Sequence, residues 1–183
     1  MQQEHVMVVD KSRLIFDGGI YDFVLANHFY IPRDEAEASQ THKQIIPYVI
    51  VTHNGDYLLF KRKKKQMEVR LHDKYSLGVG GHINPPVNTK GDPIILGLLK
   101  ELHEELALEG YLEPEYISII NDDSNEVGRC HLGFLFSIQA LSYKFSLPEQ
   151  DKMSAEWISK KDLPSYHDKM ETWSQIILDR GYL

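Results

Sequence analysis

The chain has 183 residues, 42% of them hydrophobic, and 20 lysines and arginines against 27 aspartates and glutamates give a formal charge of −7. That length favours one domain around one sizeable core, and the hydrophobic share excludes a disordered chain. The acidic balance argues against stable nucleic-acid binding through net attraction, although a local patch could still hold phosphate. The lone cysteine, Cys130, excludes an intrachain disulfide and fits a reducing compartment. No lysine-led apolar stretch stands at the start, so a secretory signal is not expected, and apolar runs such as 94–99 and 132–138 are too short for a membrane helix, so the cytoplasm is the expected compartment.

In chain order, Val6-Met7-Val8-Val9 reads as a short strand stopped by the turn-prone Asp10-Lys11-Ser12. Asp17-Gly18-Gly19 is a second break, and residues 32–39 read as an exposed acidic connector. Residues 1–40 are therefore expected as an extension packed on a core domain of residues 41–183. Ile45-Ile46-Pro47-Tyr48-Val49-Ile50-Val51 is a strand. His53-Asn54-Gly55-Asp56 is a hairpin turn, because Asn-Gly accepts positive φ, and Tyr57-Leu58-Leu59-Phe60 returns. Lys61-Arg62-Lys63-Lys64-Lys65 could steer an anionic substrate or RNA, but its place between a strand and a turn favours a solvated hairpin loop.

Gly78-Val79-Gly80-Gly81-His82 follows an extended segment, and a helix begins at Asp92 as N-cap with Pro93 in its first position. At roughly 100° per residue, Glu101, Glu104 and Glu105 share an arc about 100° wide, while Ile95, Leu98, Leu99, Leu102 and Leu106 form a neighbouring buried side. Like charges at this spacing repel by a few tenths of a kcal/mol per pair. A divalent cation turns that repulsion into coordination, because hard Mg²⁺ prefers carboxylate oxygen. A solvated acidic face is the plain alternative. Beyond the helix, residues 116–120 and 131–138 read as strands joined by Asn121-Asp122-Asp123-Ser124-Asn125, and residues 166–178 as a final helix. Strands on both sides of a central helix, with a second helix at the C-terminus, predict a mixed sheet between helical layers.

Residues 81–108 resemble the Nudix box, G-x5-E-x7-R-E-U-x-E-E-x-G-U, where U is a bulky aliphatic residue. Gly81 matches its first glycine, Asp92 its isolated glutamate and Lys100 its arginine. Glu101, Leu102, Glu104, Glu105 and Leu108 match outright, and Ala107 replaces the second glycine. The loop from His82 to Lys90 carries an insertion relative to that spacing. Lysine for arginine keeps the charge but loses the planar fork. More narrowly, Gln44-Ile45-Ile46-Pro47-Tyr48, the glycine segment and Asn121–Asn125 look like a bacterial subgroup labelled as phosphoesterases, with no substrate attached.

The resemblance implies an α/β/α sandwich with a mixed β-sheet and a loop–helix–loop catalytic motif. It also implies hydrolysis of a phosphoanhydride bond in a nucleoside diphosphate linked to another moiety, with Mg²⁺ or Mn²⁺. Glu101, Glu104 and Glu105 would hold the metal together with the Gly80 carbonyl, and Lys100 would steady a glutamate. The general base is either a box glutamate or an outside acid, for which Glu149 is the candidate; its plain reading is a surface loop residue. Arg70 and Lys74, just before the glycine loop, are candidate phosphate contacts. Gly81, His82, Asp122 and Asp123 are candidate pocket residues. For His82 and His131 a hydrogen-bonded structural histidine is the simpler reading, and for Asp122, Asp123 and Asn125 a turn. Trp157 and Trp173 fit core packing better than base stacking. The partner would be a small, nucleotide-derived diphosphate, and a homodimer is the commonest assembly. Two other classes share the fold. An isoprenoid diphosphate isomerase would need a cysteine elsewhere than Cys130, and a nucleotide-sensing domain often loses the glutamates retained here.

Overall fold

The computed structural model describes residues 3–63, 74–87, 90–148 and 150–183. Strand β3 (His42–His53) is the spine of the fold. Its run of apolar residues suits a strand buried on both faces, and side chains alternate between those faces with period two. Ile45, Val49 and Val51 enter one core with Leu98 and Leu102, whereas Tyr48 and Ile50 enter a second core with Leu163, Met170 and Ile177.

β3 organises a nine-stranded mixed sheet. Antiparallel to it run β1 (His5–Asp10), β4 (Asp56–Arg62) and β6 (Gly78–Gly80), and parallel to it runs β9 (His131–Gln139). β2 (Phe29–Pro32) adds to β1, β5 (Tyr75–Ser76) and β11 (Met153–Ser159) to β4, and β8 (Glu115–Ile120) to β9. A separate two-stranded sheet pairs β7 (Ala107–Leu108) with β10 (Phe145–Ser146). The β3–β4 connection is the expected tight hairpin, with Asn54 at φ 50° and Gly55 at φ 85°, the left-handed pair that matches strand twist.

Helix α3 (Pro93–Glu105) covers one face of the sheet through Ile94, Leu98 and Leu102, and helix α5 (Thr172–Asp179) covers the other through Ile177. The molecule is thus the expected α/β/α sandwich. Burying one such aliphatic side chain stabilises by about 1.5–3 kcal/mol, so these contacts decide where each helix lies.

Three elements differ from the sequence reading. Residues 33–38 are helix α2 (Arg33–Ala38) instead of a connector, because Ala36 is fully buried on Val6 and Val8. The C-terminal helix is broken. A 3₁₀ segment (Leu163–Lys169) ends at buried Met170, and Glu171 then caps α5 by accepting from the Trp173 and Ser174 amides. β11 carries no alternation strong enough to announce it and forms by pairing along β4. The N-terminal segment is woven into the sheet: β1 lies between β2 and β3, while Met7, Val9, and Ile20 and Val24 of α1 (Ile20–Asn27) join the main core. Trp157 and Trp173 pack against the two cores. Among the described residues no helix is long and apolar enough to cross a membrane.

Candidate active site

The glycine segment and α3 meet because glycine allows it. A Cβ on Gly80 would stand 2.2 Å from the Pro47 carbonyl oxygen, and one on Gly81 would stand 2.1 Å from Glu101 Oε2. The main chain therefore passes directly over the Glu101 carboxylate. Tyr48 holds this segment from the opposite face. Its buried hydroxyl accepts from the Gly78 amide (2.9 Å), donates to Glu171 Oε1 (2.9 Å) and contacts Ser76 Oγ (3.0 Å) and Ser174 Oγ (3.1 Å). Burial and the Glu171 charge push the phenol far above its usual range, so it stays protonated.

The start of α3 is fixed by Asp92. Its Oδ1 accepts from the Ile94 amide at 2.8 Å, and its Oδ2 accepts from the Tyr21 hydroxyl at 2.7 Å. Pro93 follows in the first helical turn as expected. Further along, Lys100 Nζ lies 3.1 Å from Glu101 Oε1 and 3.4 Å from Glu104 Oε1. The Glu101 side chain is 15% exposed and that of Glu104 57%, while Glu105 is half-buried. Burial raises the Glu101 carboxyl above its usual range, Lys100 opposes that rise, and Glu104 and Glu4 add to it. Burial disfavours the Lys100 ammonium, but its two glutamates outweigh burial and raise it.

Among the described residues, no three His, Cys, Asp or Glu side chains converge as a ready-made metal cage. The carboxylates fit a cation nonetheless. Glu101 and Glu104 already share one cation, the Lys100 ammonium, and the exposed arm of Glu104 has rotamers to spare. At Gly81 the main chain passes close to the same carboxylate, and carboxylate oxygen is the hard donor that Mg²⁺ or Mn²⁺ prefers.

His82, the next residue, is largely buried, and burial, assisted by Arg33 and His131, pushes its imidazole down to about 4. Its Nε2 faces His131 Nε2 at 3.5 Å, and His131 Nδ1 donates to the Val127 carbonyl at 2.7 Å. Asp122 bonds mainly within its own loop, and Asp123 is tied to β3. Asp122 accepts from the Ser124 amide and hydroxyl and from Asn125 Nδ2, and Asp123 accepts from Lys43 at 2.7 Å. Lys43, buried to 3% side-chain exposure, also donates to Asn121 Oδ1 and the Gly128 and His131 carbonyls. Lys74 stands ahead of β5, with its carbonyl accepting from the Arg62 amide. Arg70 and Glu149 lie outside the described residues. Cys130, at the end of α4 (Glu126–Cys130), is buried and donates to the Val127 carbonyl, a structural bond.

Sequence reasoning missed Glu4, Tyr21, Arg33 and Asn84. Each acts across the fold, and none lies in a local pattern that could have marked it.

No family profile matches the chain. Protein YmaB of Bacillus subtilis (strain 168) is 32% identical over 154 residues, spanning 80% of this chain and 75% of that protein. The crystal structure of Tm1382, whose assignment as a Nudix hydrolase is itself provisional, superimposes with a TM-score of 0.79 at 31% identity, over 94% of this chain and 95% of that one. The chain belongs to the Nudix hydrolase family. A Nudix hydrolase from Nitrosomonas europaea (TM-score 0.53, 20% identity, 76% of this chain and 88% of that one) and the MutT protein of Methanosarcina mazei Go1 (0.54, 16%, 74% and 90%) share its fold.

The departures of this Nudix box now have structural reasons. Asp92, in the place of the isolated glutamate, is a short side chain that caps the helix and receives Tyr21. The inserted loop is anchored at its start. Ile83 packs on Gly97, where a Cβ would lie 2.8 Å from Ile83 Cγ1, and its carbonyl accepts from the Met7 amide at 2.8 Å. Lys100 reaches two box glutamates with a single ammonium, which needs no planar fork.

Proposed function

We propose that this Nudix hydrolase cleaves a phosphoanhydride bond in a soluble, nucleotide-derived diphosphate, with Mg²⁺ or Mn²⁺ held by Glu101, Glu104, Glu105 and the Gly80 carbonyl. The observation that carries the reading is the contact of Gly81 with the Glu101 carboxylate, beside a lysine that already bridges Glu101 and Glu104. A bound divalent ion would neutralise phosphate oxygens and lower the pKa of a coordinated water. A fold neighbour from Francisella tularensis, a bifunctional NMN adenylyltransferase/ADP ribose pyrophosphatase, was solved with AMP and a Mn ion; this chain spans 42% of it (TM-score 0.53, 17% identity).

The chain's own residues have separable parts in this reading. Lys100 draws Glu101 and Glu104 towards one point until a stronger cation takes its place. Gly81 lets the main chain approach a phosphate closely. Tyr48 keeps the Gly78–Gly80 strand from sliding. His82, neutral at pH 7, can donate or accept a hydrogen bond without adding charge. A box glutamate not committed to the metal, or an acid outside the box such as Glu149, would receive the proton of the attacking water.

The test is phosphate or nucleotide release from nucleoside triphosphates, nucleotide sugars, dinucleotides and isoprenoid diphosphates with Mg²⁺ or Mn²⁺, comparing wild type with Glu105→Gln. Turnover of one class, lost in the variant, establishes the reaction and names the substrate class. Turnover that survives in the variant refutes the assigned site.

A further inference from the structure

The N-terminal segment delivers a guanidinium to the edge of this site. Arg33 Nη1 donates to Glu4 Oε2 at 3.1 Å, and Arg33 Nε donates to Glu37 Oε1 at 2.9 Å. Glu4 Oε1 in turn accepts from Asn84 Nδ2 at 3.1 Å, and Asn84 also donates to the His5 carbonyl at 3.0 Å. Asn84 lies just past Gly81, in the loop tied to β1 through Met7 and Ile83. A run of contacts thus leads from Arg33 through Glu4 and Asn84 to the turn that covers Glu101.

Arg33 is half-exposed, at 44% of its side chain, and Nη2 carries no hydrogen bond among the described residues. The site is otherwise rich in carboxylates, and the Lys100 ammonium bridges two of them until a metal takes its place. A diphosphate entering such a site needs a cationic donor beyond the metal. Two carboxylates gripping the guanidinium reduce the rotamer entropy lost on binding, and the planar fork offers paired N–H groups to phosphate oxygens.

We propose that Arg33 is a substrate-contacting residue, held by Glu4 and Glu37 so that its guanidinium binds a phosphate of the diphosphate substrate at the wall built by the N-terminal segment. This rests on the hydrolase reading above. It gives residues 1–40 a direct part in the site.

The test uses methylenediphosphonate, a non-hydrolysable diphosphate, titrated calorimetrically with Mg²⁺ present. Mg²⁺ binding alone is measured in parallel, and melting curves check that each variant folds. Arg33→Gln is expected to bind the diphosphonate about 10- to 100-fold more weakly, the loss typical of charge-assisted hydrogen bonds, with Mg²⁺ affinity unchanged. Arg33→Lys, the milder variant, should fall between, because it keeps the charge and loses the fork. If Arg33→Gln binds the diphosphonate as the wild type does, the proposal is overturned while the hydrolase reading stands. Loss of Mg²⁺ and diphosphonate binding together also overturns it, since that marks an arginine that only seats the glycine turn. If Glu105→Gln binds both ligands as the wild type does, the site itself is misassigned and the proposal falls with it.

Discussion

Gly81→Ala separates the activity of this protein from its stability. The added Cβ would lie 2.1 Å from Glu101 Oε2, and ordinary contact begins at 3.4 Å, so the oxygen must withdraw by about 1.3 Å. The obstacle is the far end of a flexible side chain, so the fold can yield. Turning Glu101 off its rotamer costs about 0.5–1.5 kcal/mol, which lowers Tm by a few degrees at roughly 2–4 °C per kcal/mol in a domain of this size. Displacing a metal-binding carboxylate by more than an ångström should cost about 100-fold in kcat. Gly80→Ala is the contrasting case, in which stability falls further. Its Cβ would meet the Pro47 carbonyl at 2.2 Å, and backbone at the centre of the sheet cannot withdraw. Overpacking there should destabilise by about 1–3 kcal/mol or more. Thermal melts and turnover of whichever diphosphate the panel identifies would measure both. Gly81→Ala turning over at the wild-type rate would show that the Gly81–Glu101 contact has no part in catalysis.

Glu101→Gln should reduce metal-dependent turnover by orders of magnitude with a melting curve close to wild type, and chelation by EDTA should abolish wild-type turnover until Mg²⁺ or Mn²⁺ is restored; activity that persists through both would refute the metal assignment. Tyr48→Phe removes the acceptor of the Gly78 amide and the partner of Ser76, Ser174 and Glu171, and leaving buried polar groups unsatisfied should cost about 2–3 kcal/mol in urea unfolding. Lys43→Met strands four oxygen acceptors around a buried position and should cost about 3–5 kcal/mol. The Lys43 hydrogen bond holds the Asp123 carboxyl below its usual range, so its contribution is present above the unfolded value of about 3.9 and is lost as pH falls through the folded value. Acid unfolding of Lys43→Met should therefore show a shallower loss of stability below about pH 4 than wild type; equal slopes would contradict the pairing.

Much of the candidate site's framework was legible because its signals are local. The Asn54-Gly55 hairpin, the Asp92-Pro93 helix start and the helix that carries Glu101, Glu104 and Glu105 each depend on neighbours within one turn or two strands, and these elements stand where expected. Elements whose formation depends on distant partners were not legible. α2 looked like an acidic connector because a single buried alanine, Ala36, holds it down. The C-terminal helix looked continuous because its break is set by Glu171 bonding to Tyr48, 123 residues away.

By itself, then, the amino-acid sequence determined the carboxylate helix, the glycine turn before it and the family to which both belong, since local spacing and backbone freedom dictate them. Only the tertiary structure decided what surrounds those parts. It set Tyr48 behind the glycine strand, Tyr21 on Asp92, and Glu4 and Arg33 beside the turn over Glu101. Those contacts join residues distant in the chain, and side chains meet there only because β1 is inserted between β2 and β3 and carries the N-terminal segment to the site.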